Sequence, residues 1–185
     1  MIYLASASPR RHALMRYLNI PFEIVSVEVE ESLSHTTDGL LAAYDNAKIK
    51  AQAAFKKLEK LVLGCDTVVQ CGNRLMGKPT DAEEAYRMLK TLSGRTHTVT
   101  SACVLITQNQ EYRLHGQAQV TFYSLTDVMI YSYIDTEEPF GKAGAYGIQG
   151  EAIKFVQKIE GDYASIMGLP VGALAQFFTE TLTLK

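Results

Sequence analysis

Five segments of the chain carry residue types that could act on a charged ligand. The first is SASPRR at 6–11. Ser8 is a good N-cap, and Pro9 suits the first helical position. Arg10 and Arg11 then fall in the first helical turn, where cations are mildly unfavourable, by roughly 0.3–1 kcal/mol each. A bound anion would reverse that sign, because free N–H groups, the helix dipole and two guanidinium forks would face it. The placement favours a phosphate-type anion over a solvated surface pair. The second segment is EVEES at 28–32. On a strand, Glu28 and Glu30 share a face and Glu31 points the other way. These are either solvated charges at a strand end or ligands for a hard cation such as Mg2+, which often takes one or two carboxylates plus substrate phosphates.

The third segment is GCDTVV at 64–69, an apolar run interrupted by Asp66. A buried carboxylate must be paired, bound to metal or catalytic, unless it holds a turn. The fourth, GKPTDAEEA at 77–85, sets Lys78 before Pro79 and so in extended backbone just ahead of a helix, a good place for a phosphate. It is not the GxxxxGK[ST] phosphate loop. The fifth is KAGAYGIQG at 142–150. Glycines at 141, 144, 147 and 150 permit positive φ or close approach to a ligand. The spacing is not GxGxxG, so a dinucleotide fold is not indicated. Gln149 could read a base edge, since an amide offers both donor and acceptor. Lys48, on a long helix beside its apolar stripe, reads by itself as an exposed helix lysine.

The elements that must position these groups alternate between strand and helix. Strands are expected at Ile2–Ala5, Phe22–Val29, Leu61–Cys71, Thr96–Thr107, Tyr112–Phe122 and Ala152–Ile159. A turn at Gly72-Asn73 follows the third strand, and a polar turn at 108–110 joins the next two. Helices are expected from Ser8-Pro9 to Leu18, from Asp38 to Lys60, from Asp81 to Leu92, from Thr126 to Ile134 and over Leu169–Leu182. Asp81 and Glu84 form a capping box, and Leu40, Ala43, Ala47, Ala51, Ala54 and Leu58 make one stripe of the long helix. Two adjacent long strands interrupt the alternation, which implies an α/β protein with a mixed sheet.

Composition narrows the function classes. The 185 residues fit one domain or two small lobes sharing a cleft. Eighteen cations against 20 anions leave a formal charge of −2, too balanced for a nucleic-acid coat or a polybasic membrane binder. Work on a charged ligand must therefore come from local placement. The N-terminus lacks a basic n-region followed by an apolar stretch, and no 18 consecutive residues are apolar, so neither a signal peptide nor a membrane span is expected. Cys65, Cys71 and Cys103 are odd in number and lack CxxC spacing. They read as buried free thiols in a cytoplasmic protein.

Taken in order, SASPRR, the EE at 30–31, AKIKA at 47–51, GCDTVV, GKPTDAEEA, LSGRTHTV at 92–99, KAGAYGIQG and GLPV at 168–171 resemble the Maf family of nucleoside triphosphate pyrophosphatases nearly end to end. The resemblance implies an elongated α/β fold, similar to that of the inosine triphosphate pyrophosphatases, as a single domain over 1–185 with two lobes around a central cleft. It also implies a homodimer. One branch of the family prefers 7-methyl-GTP and typically reads SPWRR, GSDQV and Ser-Glu-Gly at the places where this chain has Arg10, Thr67 and Gln149. The chain therefore looks like the other branch, which acts on dTTP and UTP. By the same resemblance, Asp66 matches the proton acceptor, and Arg10, Thr67 and Gln149 match the specificity positions. Ser8, Arg11, Lys48 and Lys78 match the polar and cationic groups of the triphosphate site. Glu31 matches a carboxylate associated with the metal, expected to be Mg2+, with Mn2+ or Co2+ as alternatives. Gly77 departs from the branch, where many relatives carry Glu.

The reaction so implied is attack of water on the α-phosphorus, giving the nucleoside monophosphate and pyrophosphate. Arg11, Lys48, Lys78, the helix N-terminus and the metal would screen the phosphates, and Asp66 would orient the water and take its proton. Two alternatives stand beside it: a purine house-cleaning enzyme of the ITP type, and a non-catalytic nucleotide-binding regulator of cell division.

Overall fold

The computed structural model describes residues 1–33 and 35–181. Its strands are β1 (Ile2–Ala5), β2 (Phe22–Ile24), β3 (Val62–Cys71), β4 (Arg74–Met76), β5 (Thr96–Ile106), β6 (Glu111–Phe122) and β7 (Val156–Gly161). They form one mixed sheet in the order β2-β1-β3-β5-β6-β7, with β4 also paired to β3. β1 runs parallel to β2 and β3, and every other pairing is antiparallel. The helices are α1 (Pro9–Met15), α2 (Gly39–Leu58), α3 (Ala82–Leu92), α4 (Asp127–Ile134), α5 (Tyr163–Met167) and α6 (Val171–Glu180). Among the described residues, no helix is long and apolar enough to cross a membrane.

Local chemistry sets the helix starts. Ser8, Asp38, Asp81 and Thr126 all cap, each side-chain oxygen accepting from an N–H in the first turn. The box at α3 is displaced by one residue: Asp81 accepts from the Glu84 N–H, while Glu84 accepts from the Thr80 N–H at 2.7 Å. Three expectations are corrected. The strand expected over Phe22–Val29 pairs with β1 only through Ile24. The strand expected over Ala152–Ile159 begins as a short 3-10 turn at Glu151–Phe155 and pairs from Val156. The closing helix expected over Leu169–Leu182 instead starts at Val171, after a turn at Gly168 that separates it from α5; Leu182 lies outside the described residues.

Alternation along β3 divides the molecule. Leu63 and Cys65 join one core with β1, α1 and α6, while Val69 joins a second with α3 and α4. Both cores lie on one face, separated by polar Thr67. The even-numbered residues Val62 and Val68 face α2. That helix lies unusually close. A Cβ on Gly64 would stand 2.2 Å from the Ala47 carbonyl oxygen and 2.7 Å from the Ala51 nitrogen. Glycine on the strand and alanines on the helix permit this approach.

The second edge of β3 has two different neighbours. β1 pairs with Val62–Gly64 and β4 with Val69–Cys71. Between them, at Cys65–Val68, that edge is open, and the chain leaves the C-terminal end of β1 toward α1. A gap beyond the carboxyl end of a parallel strand is where open α/β sheets place ligands.

Candidate active site

The gap opens into a cleft of about 680 Å3, lined from the first segment, the glycine-rich segment and the middle of β3. That volume suits a nucleotide-sized ligand. Asp66 lies in its wall and is only 4% exposed. Its Oδ1 accepts from the Lys50 ammonium at 2.7 Å and its Oδ2 from the Asn46 amide at 3.2 Å. Lys50 also pairs with Glu31 Oε1 at 2.8 Å and donates to the Cys65 carbonyl at 3.4 Å. All three ammonium hydrogens are then used. Lys50 is thus a buried cation joining two carboxylates that would otherwise repel each other and any phosphate.

Lys50 takes the place expected for Lys48. The two lie two residues apart on α2, about 200° around a 3.6-residue turn. Lys48 points away from the cleft and pairs with Glu111 on β6 at 2.9 Å. The structure does not bring Lys48 to the site, and the expectation is corrected to Lys50. Glu31 is reached from the rim as well, by Lys78 at 3.3 Å. Burial alone would push the Glu31 carboxyl up, but Lys50 and Lys78 outweigh it and hold it below the usual carboxylate range. Glu28 and Glu30 do not line the cleft and are exposed. Val25 still donates to the Leu4 carbonyl at 2.9 Å, but beyond it the segment has no strand partner among the described residues, and Val27, Val29 and Glu31 form one wall of the cleft.

The two arginines differ. Arg11 is folded into the structure, donating to the Gly168 carbonyl at 2.7 Å, Thr67 Oγ1 at 2.9 Å and Ser6 Oγ at 3.3 Å. Thr67 Oγ1 also meets Ser101 Oγ at 2.8 Å, and Ser101 donates to the Ser165 carbonyl at 2.7 Å. A guanidinium only donates and a carbonyl only accepts, so the chain has one polarity: Arg11 to Thr67 to Ser101 to Ser165. The Thr67 hydrogen is committed to Ser101, which makes Thr67 a support for Arg11 and the α5 turn. Arg10 lines the cleft near Tyr133 and Glu138; burial, with Arg11 beside it, lowers its pKa. Ser8, Lys78 and exposed Gln149 also line the cleft. Of the nine residues expected from the sequence, the structure brings together all but Lys48. Lys50, Asn46 and Glu138 were missed. The signal for the first two was present: both fall on the alanine stripe of α2, where a polar side chain must find a partner.

The donor set fits a magnesium-like ion. Glu31 and Asp66 are hard oxygen donors on the same cleft, brought together by the Lys50 ammonium that both contact, and such an ion takes its remaining ligands from water and substrate phosphates. No cluster of three or more His, Cys, Asp or Glu side chains able to hold a metal occurs among the described residues, so phosphate oxygens would have to complete the shell.

A family model described as Maf-like protein matches residues 1–181. A dTTP/UTP pyrophosphatase of Carboxydothermus hydrogenoformans is 46% identical over 175 residues, covering 94% of each chain. One from Bacillus cytotoxicus is 44% identical over 174 residues, covering 94% of this chain and 91% of its own. A crystal structure of a nucleoside-triphosphatase, or dITP/XTP pyrophosphatase, from Mycobacterium abscessus aligns over 67% of this chain and 74% of its own, with 24% identity and a TM-score of 0.46.

Proposed function

The chain belongs to the Maf family, and from that premise we propose that it hydrolyses dTTP and UTP to the nucleoside monophosphate and pyrophosphate. One observation carries the reading: a buried Asp66–Lys50 pair, extended to Glu31 at the surface, stands in the wall of a nucleotide-sized cleft that also holds Arg10, Lys78 and Gln149. The chemistry divides along that wall. Asp66 has two of its roughly four lone-pair sites engaged, so it retains acceptor capacity for a water, which it would orient and deprotonate. Lys50 cancels the charge that Asp66 and Glu31 would turn against an incoming polyanion. Lys78 and Arg10 supply cationic donors to phosphate oxygens. Arg11 keeps donors beyond those given to Gly168, Thr67 and Ser6, since a guanidinium has five. Gln149 offers the paired donor and acceptor that a uracil or thymine edge requires.

Glu31 and Asp66 would hold the divalent cation, Mg2+ by donor chemistry. Its contribution when bound is to neutralise phosphate charge and acidify water. Every other task above falls to the side chains. The homodimer is part of the same proposal, and light scattering should return twice the chain mass. The function is tested by incubating the protein and Mg2+ with dTTP, UTP, 7-methyl-GTP and ITP. Pyrophosphate from the first two is the expected result; release of single phosphate, or a preference for ITP, would overturn the reading.

A further inference from the structure

Behind the base-reading end of the cleft sits a carboxylate that the mechanism above does not use. Glu138 lies in the lining, and both its oxygens are directed at the glycine-rich segment. Oε1 accepts from the Tyr133 hydroxyl at 2.9 Å, and that hydroxyl in turn accepts from the Gly147 N–H at 3.1 Å. Oε2 accepts from the Glu151 N–H at 3.0 Å. Between these two anchors the Gly150 N–H closes a tight turn onto the Gly147 carbonyl at 3.1 Å. Ile148 is buried beneath the turn, and Gln149 stands exposed at its tip on the cleft side.

The glycines agree with this arrangement. A Cβ on Gly150 would fall 2.1 Å from Glu138 Oε1, and one on Gly147 would fall 2.8 Å from the Lys142 side chain. A side chain at position 150 would have to displace the Glu138 carboxylate from its place against the turn. Lys142 secures the other side by donating to the Glu138 carbonyl. Burial and the neighbouring Glu138 raise the Tyr133 pKa, with the Gly147 N–H opposing them, so the phenol stays protonated and able to donate.

We infer that Glu138 is a specificity-positioning residue: it clamps both ends of the 147–151 turn and so fixes where the Gln149 amide meets the base. The inference rests on the pyrophosphatase reading for its consequence, but not for its geometry. The clamp acts through Gln149, so it sets base affinity and choice and leaves the Asp66 chemistry alone.

The test uses Glu138→Gln, whose amide can accept at one oxygen but presents N–H to a partner that also donates. A second variant, Tyr133→Phe, frees only the Gly147 end. Hydrogen exchange of the 147–151 amides in the unliganded protein is measured beside steady-state kinetics. Loss of a bond to a charged acceptor predicts about tenfold faster exchange at Gly147 and Glu151 in Glu138→Gln, and at Gly147 alone in Tyr133→Phe. KM for dTTP should rise about tenfold with kcat within about twofold, and the preference for dTTP over dGTP should shrink. Unchanged exchange would overturn the clamp. Faster exchange with KM and base preference intact would overturn its link to specificity. Exchange needs no turnover, so an inactive wild-type protein would sink the pyrophosphatase reading while the clamp is still judged by exchange.

Discussion

Replacing Lys50 by Met should damage the protein far more than the same change at Lys48. The Lys50 ammonium lies 2.7 Å from Asp66 and 2.8 Å from Glu31, and its side chain is 8% exposed. At an effective dielectric of about 20, one contact of that length is worth about 6 kcal/mol of gross attraction. Much of this is offset by desolvation, and what a variant measures is the charge left behind. Removing one partner of a buried pair typically costs about 3–5 kcal/mol, a large part of the roughly 5–15 kcal/mol that holds a domain folded. Lys48 and Glu111 are each about one-third exposed, so Lys48→Met should cost under about 1 kcal/mol. Urea unfolding at pH 7.5 gives both values directly. The Lys50→Met deficit should narrow as pH falls into the carboxylate range, because Lys50 helps hold the Glu31 carboxyl low and protonating it removes an uncompensated charge. Its kcat/KM should drop at least about 10²-fold, while Lys48→Met stays within about twofold. Equal losses in the two variants, or a Lys50→Met deficit independent of pH, would refute the assignment of Lys50 as the charge that joins Asp66 and Glu31.

Three further outcomes follow from the same geometry. Asp66→Asn should fold and lose at least about 10²-fold in turnover; near-normal rates in a dTTP assay would remove its role. Gly64→Ala must drive α2 off β3, because its Cβ would sit 2.2 Å from Ala47 O. A loss of about 3 kcal/mol in urea should come with a fall in kcat/KM, since Lys50 and Asn46 ride on the displaced helix. Burial lowers the His97 pKa to about 4 from the ordinary 6.5. The unfolded chain therefore takes up a proton first, so this contribution to stability is complete above pH 6.5 and is lost as pH falls toward 4. The loss runs at about 1.4 kcal/mol per pH unit, or about 3 kcal/mol in all. Urea midpoints across that range should lose this slope in His97→Gln.

Features set by short-range chemistry were legible in the sequence. The four helix caps and the β5–β6 hairpin each depend on residues close together in the chain. The segment 25–31 misled because Val25, Val27 and Val29 alternate with polar residues as a strand would, yet the Val25 N–H makes the last bond to β1, at the Leu4 carbonyl, and Val27 and Val29 wall the cleft instead. The Lys48 expectation failed for a different reason. The residues of AKIKA point around a helix, and only the helix's contact with β3 decides which lysine is inside. Ala47 and Ala54 bracket Lys50 at three and four residues, so the buried stripe already included it. Glu138 was invisible because its partners, Tyr133, Gly147 and Glu151, are gathered by a turn whose shape depends on the carboxylate itself.

The central claim concerns which phosphorus the Asp66-held water attacks. Hydrolysis of dTTP in H2(18)O, read by mass spectrometry of both products, tests it most directly. Attack at the α-phosphorus places one heavy oxygen in the nucleoside monophosphate and none in pyrophosphate. Label in pyrophosphate, or in released single phosphate, would contradict the account.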